Sequence, residues 1–346
     1  MSIVDRGGPA PRPGGVLVTG ASGFVGLALV EHLLGRGERV IGVDLAPPPT
    51  EALREFDALP GAFEAVVADV RDARMLSDVM SRHAPDRLVL LAAVTAGAAR
   101  ERERPASIFE VNVGGTIAAL SAAASCRPRR IVVASSGAVY GASGATEALL
   151  HEADTPTRPE SLYGISKLAG EQAALRLAAL HELDLVVGRL GTCFGPWEAD
   201  SGVRDTPSPP LQALRLAERR EPAVLPRVVR RDWLYVRDAA AGLAALLDAR
   251  SPRHRVYNVA AGFIGTLADW CAAIAPAFPD WTWRVAADGE PANVDAWAGY
   301  DRAPMAIDRL LADTPFTPRF DLATAAVDHL AWRARFGPTD RSPVDV

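Results

Sequence analysis

Through the first half of the chain, short unbroken apolar runs alternate with stretches in which apolar residues return every three or four positions. The runs Val16-Leu-Val-Thr19, Arg39–Asp44, Phe63–Ala68, Arg87–Ala92, Arg130–Ser135 and Leu185–Leu190 read as strands. The periodic stretches Gly23–Arg36, Asp72–His83, Pro105–Ser125 and Leu162–Glu182 read as helices. Strands that are apolar throughout, separated by helices, predict an α/β fold with a doubly wound parallel sheet buried on both faces. After Gly195 the pattern breaks. Pro196–Pro226 is proline-rich, with one short helix expected near Leu211–Glu218. A strand at Trp233–Val236, a helix at Asp238–Asp248 and a strand at Val256–Val259 restore the alternation, and helices are expected at Met305–Ala312 and Leu322–Arg335. The expected division is therefore a sheet domain of residues 15–194 completed by 232–262, and a smaller lobe from 195–231 and 263–336. Residues 1–14 read as a loose arm and 337–346 as a loose tail.

Bulk composition narrows the classes of function. A chain of 346 residues can bury one large core or two coupled ones. A net charge of -5 gives no electrostatic argument for a nucleic-acid or membrane partner. Cys126, Cys193 and Cys271 are far apart, without the paired spacing of a disulfide framework or a metal site, and imply a reducing, cytoplasmic setting. Met1–Gly15 lacks the apolar core of a signal peptide, and the nearly apolar run Leu88–Ala99 is shorter than the roughly 20 residues of a membrane span. One count changes the picture. Of the 37 Lys and Arg residues, 36 are arginine, and Lys167 is the only lysine.

Lys167 lies four residues after Tyr163, a spacing that sets both on one helix face. An ammonium beside a phenol would lower the latter's pKa from its ordinary value of about 10 and yield a general acid/base. Glycines at 20, 23 and 26, in Thr19-Gly-Ala-Ser-Gly-Phe-Val-Gly26, sit between the first strand and its helix. That placement serves a tight turn, close approach to a pyrophosphate and helix–strand packing. Asp44 ends the second strand, where a carboxylate can accept from ribose hydroxyls and repel a 2′-phosphate. Asp69 ends the third, placed either to meet an adenine edge or to cap the next helix. Ser136 follows the fifth strand at the carboxyl edge, where its hydroxyl can meet the substrate oxygen handled by Tyr163.

Taken together, these residues resemble the extended short-chain dehydrogenase/reductase superfamily, in its NAD-dependent epimerase/dehydratase branch, over roughly residues 15 to 335. Leu91-Ala-Ala93, Asn112-Val-Gly-Gly-Thr116, Arg231-Asp-Trp233 and Tyr257–Gly262 extend the likeness. The resemblance implies a Rossmann-type domain with a substrate-binding lobe, NAD as cofactor and no metal. It implies catalysis by Ser136, Tyr163 and Lys167. Cofactor contacts are expected from Gly20, Gly23, Phe24, Val25, Gly26, Asp44, Asp69, Val70, Leu91, Ala92, Ala93, Asn112, Tyr163 and Lys167. On the substrate side it implies Thr95, Ser136, Thr192 and Arg231, the last meeting a nucleotide diphosphate. A homodimer through Pro105–Ser125 and Leu162–Glu182 is expected on the same ground.

The expected activity is NAD-dependent oxidation at a secondary alcohol of a sugar-like substrate, leaning to a nucleotide-sugar epimerase. A dehydrogenase of a free sugar or sugar acid, or a catalytically idle NAD-binding regulator, are the alternatives. Gly137 and Ala138 stand where 4,6-dehydratases of this family carry an acidic pair, which disfavours water elimination. Thr192 stands where nucleotide-sugar members commonly carry asparagine, which leaves the substrate's nucleotide open. Asp44 generates the first prediction. The protein should bind NAD more tightly than NADP in a fluorescence titration, and Asp44→Ala should narrow the gap chiefly by weakening NAD. A wild-type preference for NADP would remove Asp44 from the ribose site.

Overall fold

The computed structural model describes residues 14–200, 202–296 and 299–337. The arm expected before residue 14 and the tail expected after residue 337 lie outside these. Seven strands, Val16–Thr19 (β1), Arg39–Asp44 (β2), Ala62–Val67 (β3), Arg87–Leu90 (β4), Arg130–Ser136 (β5), Leu185–Leu190 (β6) and Val256–Val259 (β7), form one sheet. Their order is β7-β6-β5-β4-β1-β2-β3, and every neighbouring pair is parallel. Strand order reverses at β1/β4, the place where ligands bind in open α/β sheets. Thr19 pairs with both Val43 and Leu90, so these strands end together at one edge.

The helices Phe24–Gly35 (α1), Thr50–Asp57 (α2), Ala73–His83 (α3), Ala98–Glu103 (α4), Pro105–Cys126 (α5), Leu162–His181 (α6), Pro209–Arg219 (α7) and Val236–Asp248 (α8) follow in chain order. The apolar sides of α1 and α8 pack on one face of the sheet, and those of α3, α5 and α6 on the other. Sandwiched strands lose contact with water, so β1 and β4 are buried at every residue. β3 is an edge strand and mostly exposed, with Glu64 held between Arg39 and His83. Helix α5 has the length and hydropathy of a membrane span, and half of that apolar stretch is buried inside the protein. Its middle turn, Glu110–Gly115, widens to a π-helix.

A third core lies beyond the sheet. Phe194 packs edge-on against Trp233, Tyr235 and Trp270, between α7 and the helices Leu267–Ile274 (α9) and, after Asp308–Asp313 (α10), Leu322–Phe336 (α11). Two sequence expectations differ here. Helix α9 was not expected, although Thr266 and Asp269 form a reciprocal capping box at its start. The helix expected at Met305–Ala312 begins only at Asp308. Met305 and Ile307 instead fill a small core with Val139, Tyr140, Leu150 and Ala260, while Met305 N–H donates to the buried Asp232. Packing on two sides and a backbone bond to a carboxylate hold this stretch out of the helix.

Helix α6 is pinned to β6 by a buried pair. Arg189 donates from Nη2 to Glu171 Oε1 at 2.6 Å and from Nε to Oε2 at 3.0 Å. Its Nη1 donates to Tyr140 Oη at 3.0 Å, and Tyr140 donates to Asn258 Oδ1 at 2.8 Å. Deleting one member strands the other charge in a dry interior. Glu171→Ala should therefore cost about 3–5 kcal/mol in urea unfolding, far above a surface ion pair. A loss below about 1 kcal/mol would mean that water reaches Arg189.

Candidate active site

A cavity of about 1110 Å³ opens at the carboxyl edge of the sheet, bounded by the loop after β1, the segment after β4, and the ends of β5 and β6. The glycine turn forms its floor. Gly20 has φ +72°, and a Cβ there would stand 2.7 Å from Ala92 N. A Cβ on Gly26 would stand 1.9 Å from Gly20 O, so only glycine lets α1 start this close to β1. No side chain caps the first turn of α1, which leaves backbone N–H groups facing the cavity beside Phe24 and Val25. Asp44 accepts from Ser22 N at 2.8 Å and Leu45 N at 2.8 Å, which fixes its carboxylate at the rim. A dinucleotide needs glycine clearance, a helix N-terminus and a rim carboxylate at this edge, and the residues present fit it.

Further along, Asp69, Val70, Leu91, Ala92 and Ala93 line the wall. Asp69 does not cap α3; that role falls to Asp72, which accepts from Met75 N. Asp69 is instead ion-paired with Arg71 at 2.6 Å, and the hydrogen bonds from Arg71 hold its carboxyl below the usual range. Asn112 is the one expected site residue that does not line the cavity. It is 2 % exposed in the π turn of α5, where its amide accepts from Val94 N and donates to Val94 O and Ser166 Oγ. It ties the wall after β4 to α6. It does not line the cavity.

Ser136, Tyr163, Lys167, Thr95 and Thr192 meet at the inner end. Ser136 and Thr95 stand beside the Tyr163 hydroxyl. Burial pushes this phenol above its ordinary value, against those two polar neighbours and the charge of Arg204. The expected coupling between Tyr163 and Lys167 takes another form. Lys167 Nζ donates to Ala134 O at 2.5 Å, on β5, so the ammonium turns toward the sheet and Arg204 is the cation acting on the phenol. Burial brings Lys167 down to about 8, with the Glu171 carboxylate opposing.

Arg231 enters from the short strand Arg230–Arg231, ahead of Trp233. It is 4 % exposed and donates from Nη2 to Ala296 O at 3.3 Å. Burial, then the charges of Arg302 and Arg227, bring it down to about 10. Arg302 lines the same cavity, and its guanidinium has no hydrogen-bond or ion-pair partner among the described residues. Burial lowers it as well. Two like-charged guanidinium groups held in a partly dry cavity are a receptor for an anion. The sequence reading missed Arg302, Arg204 and Glu101, all of which line the cavity. Nothing in the local sequence distinguishes them from other surface arginines and glutamates.

The sequence profile of the NAD dependent epimerase/dehydratase family matches residues 16–260. UDP-glucuronate 4-epimerase 3 of Arabidopsis thaliana is 34% identical over 188 residues, 53% of this chain and 43% of that protein. The chain thus spans about half the length of the UDP-glucuronate 4-epimerases that it matches. A dTDP-glucose 4,6-dehydratase of Streptomyces griseus is 30% identical over 341 residues, 92% of this chain and 93% of that protein. Among solved structures, MoeE5 in complex with UDP-glucuronic acid and NAD superposes with a TM-score of 0.73 at 26% identity, covering 93% of this chain and 99% of that one.

The geometry of Lys167 yields a sharp test. A guanidinium is planar and larger than an ammonium, and it cannot reproduce the short bond to Ala134 O in the same space. Lys167→Arg should lose about a hundredfold or more in turnover while circular dichroism and thermal unfolding stay as in the wild type. Comparable turnover would mean that any cation suffices at this position.

Proposed function

Because the chain belongs to the NAD dependent epimerase/dehydratase family, we propose that it is an NAD-dependent epimerase of a nucleotide sugar, inverting a secondary alcohol by way of its ketone. The observation that carries this reading is the Arg231–Arg302 pair in the same cavity as Ser136, Thr95 and Tyr163. A diphosphate neutralises two guanidinium groups at once and hands each bidentate hydrogen bonds. A neutral free sugar would make no use of two guanidinium groups in one cavity, so the dehydrogenase of a free sugar is the weaker reading.

Gly20, Gly23, Gly26, Asp44 and Lys167 would hold NAD along the glycine turn and the cavity floor. When bound, NAD supplies a two-electron acceptor that takes a hydride from carbon and can return it. The chain's own work is proton transfer and positioning. Tyr163 Oη takes the proton of the reacting hydroxyl and later gives it back. Ser136 Oγ, itself oriented by accepting from Ala138 N at 3.1 Å, donates to the developing carbonyl oxygen. Thr95 flanks the phenol within the same cavity. The Arg204 charge favours the phenolate, while Lys167 is held on Ala134 O with Glu171 sustaining its charge.

Water elimination needs a further acid and base beside the sugar. Gly137 and Ala138 offer neither, and a Cβ on Gly137 would stand 2.8 Å from Met305 Sδ. A larger side chain at that position would have to displace Met305, and glycine itself supplies no proton-transfer group, so we read the likeness to a 4,6-dehydratase as one of fold. On this reading residues 15–194 with 232–262 form the cofactor domain, and 195–231 with 263–336 form the substrate lobe. The exposed Ile117, Ile165 and Leu180 on α5 and α6 support a homodimer through these helices. The free Cys126, Cys193 and Cys271 support a cytoplasmic setting.

UDP-linked hexoses and hexuronates are the first substrates to supply. Purified protein should convert one into its epimer without net NADH absorbance, and deuterium at the reacting carbon should be kept in the inverted product. Arg302→Ala should raise KM for the nucleotide sugar about tenfold or more, the cost of one charge-assisted contact. One NADH released per product would establish a dehydrogenase instead. Bound NAD without turnover of any such substrate would point to the idle regulator.

A further inference from the structure

Helix α6 carries Tyr163 at its second residue, so the placement of the phenol depends on how the first turn is held. That turn presents backbone N–H groups with no partner in the helix. Ser161 accepts from Gly164 N at 3.1 Å, as its own N-cap. The other two are served from outside the helix. Glu101 Oε1 accepts from Leu162 N at 2.7 Å and from Tyr163 N at 3.4 Å. Glu101 belongs to α4, on the segment that also carries Thr95. Thr95 lines the cavity beside the Tyr163 hydroxyl. One stretch of seven residues therefore holds the tyrosine's backbone and flanks its phenol.

The stretch is itself fastened. Thr95 N donates to Val203 O at 2.8 Å, and Asp205 N returns a bond to Thr95 O at 3.2 Å. Asp205 also accepts from Gly97 N at 2.8 Å and from Arg100 Nε and Nη2 at 2.9 and 2.7 Å. The proline-rich insert is thus tied to the wall that holds the tyrosine.

We propose that Glu101 is a positioning residue for Tyr163: its carboxylate fixes the first turn of α6 so that the phenol stays in reach of Ser136 and the substrate oxygen. The inference rests on the reading of Tyr163 as the proton-transfer group. A carboxylate at a helix N-terminus also offsets the positive end of the helix, so its charge tends to hold the phenol protonated. The other groups facing that phenol are Arg204 from the insert, Cys193 after β6, Arg302 from the small lobe, and the uncharged Ser136 and Thr95.

Two variants separate the roles. Glu101→Gln keeps an oxygen that accepts the same bonds and removes the charge; Glu101→Ala removes both. Glu101→Ala should lower kcat about tenfold to a hundredfold, as a displaced reacting group does, with KM for the nucleotide sugar nearly unchanged. Glu101→Gln should recover most of kcat. Both should lower the Tyr163 ionisation midpoint by about half a pH unit. That midpoint is read without substrate, as the phenolate absorbance of each protein minus the same protein carrying Tyr163→Phe. Thermal unfolding close to wild type shows that neither variant acts through the fold. Glu101→Ala with wild-type kcat and an unmoved midpoint would overturn the proposal, as would Glu101→Gln being as impaired as Glu101→Ala. If the wild type turns over no nucleotide sugar, the function proposed above fails. The absorbance titration then decides the role of Glu101 alone, an unmoved midpoint overturning it.

Discussion

The buried pair between Arg189 and Glu171 is the interaction on which the rest of the site depends. Arg189 sits on β6 and Glu171 on α6, one helical turn after Lys167. A bidentate pair fixes both the height and the rotation of α6 on the sheet, because neither partner can slide without losing a bond in a dry place. Glu171 also faces the Lys167 ammonium and opposes the loss of its charge. Through Tyr140 and Asn258 the same network reaches Leu150 and Ala306, which frame the stretch carrying Met305. One ion pair thus sets the rotation of the helix that carries Tyr163, supports the charge of its lysine and shapes the wall opposite Gly137.

The cavity has a gradient of chemistry along its length. The glycine turn offers backbone N–H groups and a rim carboxylate. The centre offers hydroxyls with a phenol whose proton burial retains. The small lobe offers guanidinium groups whose charge burial and mutual repulsion both oppose. The buried Asp232 holds these last two elements in place. It accepts from Ala261 N and Met305 N, and burial raises it to about 6. That carboxylate spends its bonds on backbone N–H groups of two separate segments beside Arg231.

Legibility in the sequence followed the range of the forces involved. The seven strands and the glycine turn were readable because local patterning and backbone sterics dictate them. Tyr163, Lys167, Ser136 and Asp44, each an ambiguous signal alone, were placed together by their positions after the strands and by the family resemblance, and all four line the cavity. Arg302, Arg204 and Glu101 were not. Each reaches the cavity from a distant segment, and only the folded path brings residue 101 to the backbone of 163. Asn112 was placed at the cofactor, whereas the π turn of α5 rotates it inward to bridge two elements. The helix expected from Met305 failed for the opposite reason, since a good helical pattern lost to packing and to the Asp232 bond. The coupling expected between Lys167 and Tyr163 shows the same limit. Spacing sets where two side chains start, and the carbonyl of Ala134 decides where one of them ends.

The scarcity of lysine has a consequence for how this protein meets reactive small molecules. Acylating and carbonyl reagents that decorate most proteins at many surface amines find here one side-chain amine, at the inner end of the cavity. With its pKa brought to about 8, a fraction of it is unprotonated and nucleophilic near neutral pH. The arginine-rich exterior does not compete for acylating reagents. Acylation of the Lys167 side chain, located by peptide mapping apart from the terminal α-amine, therefore reports on occupancy of the cavity rather than on the surface.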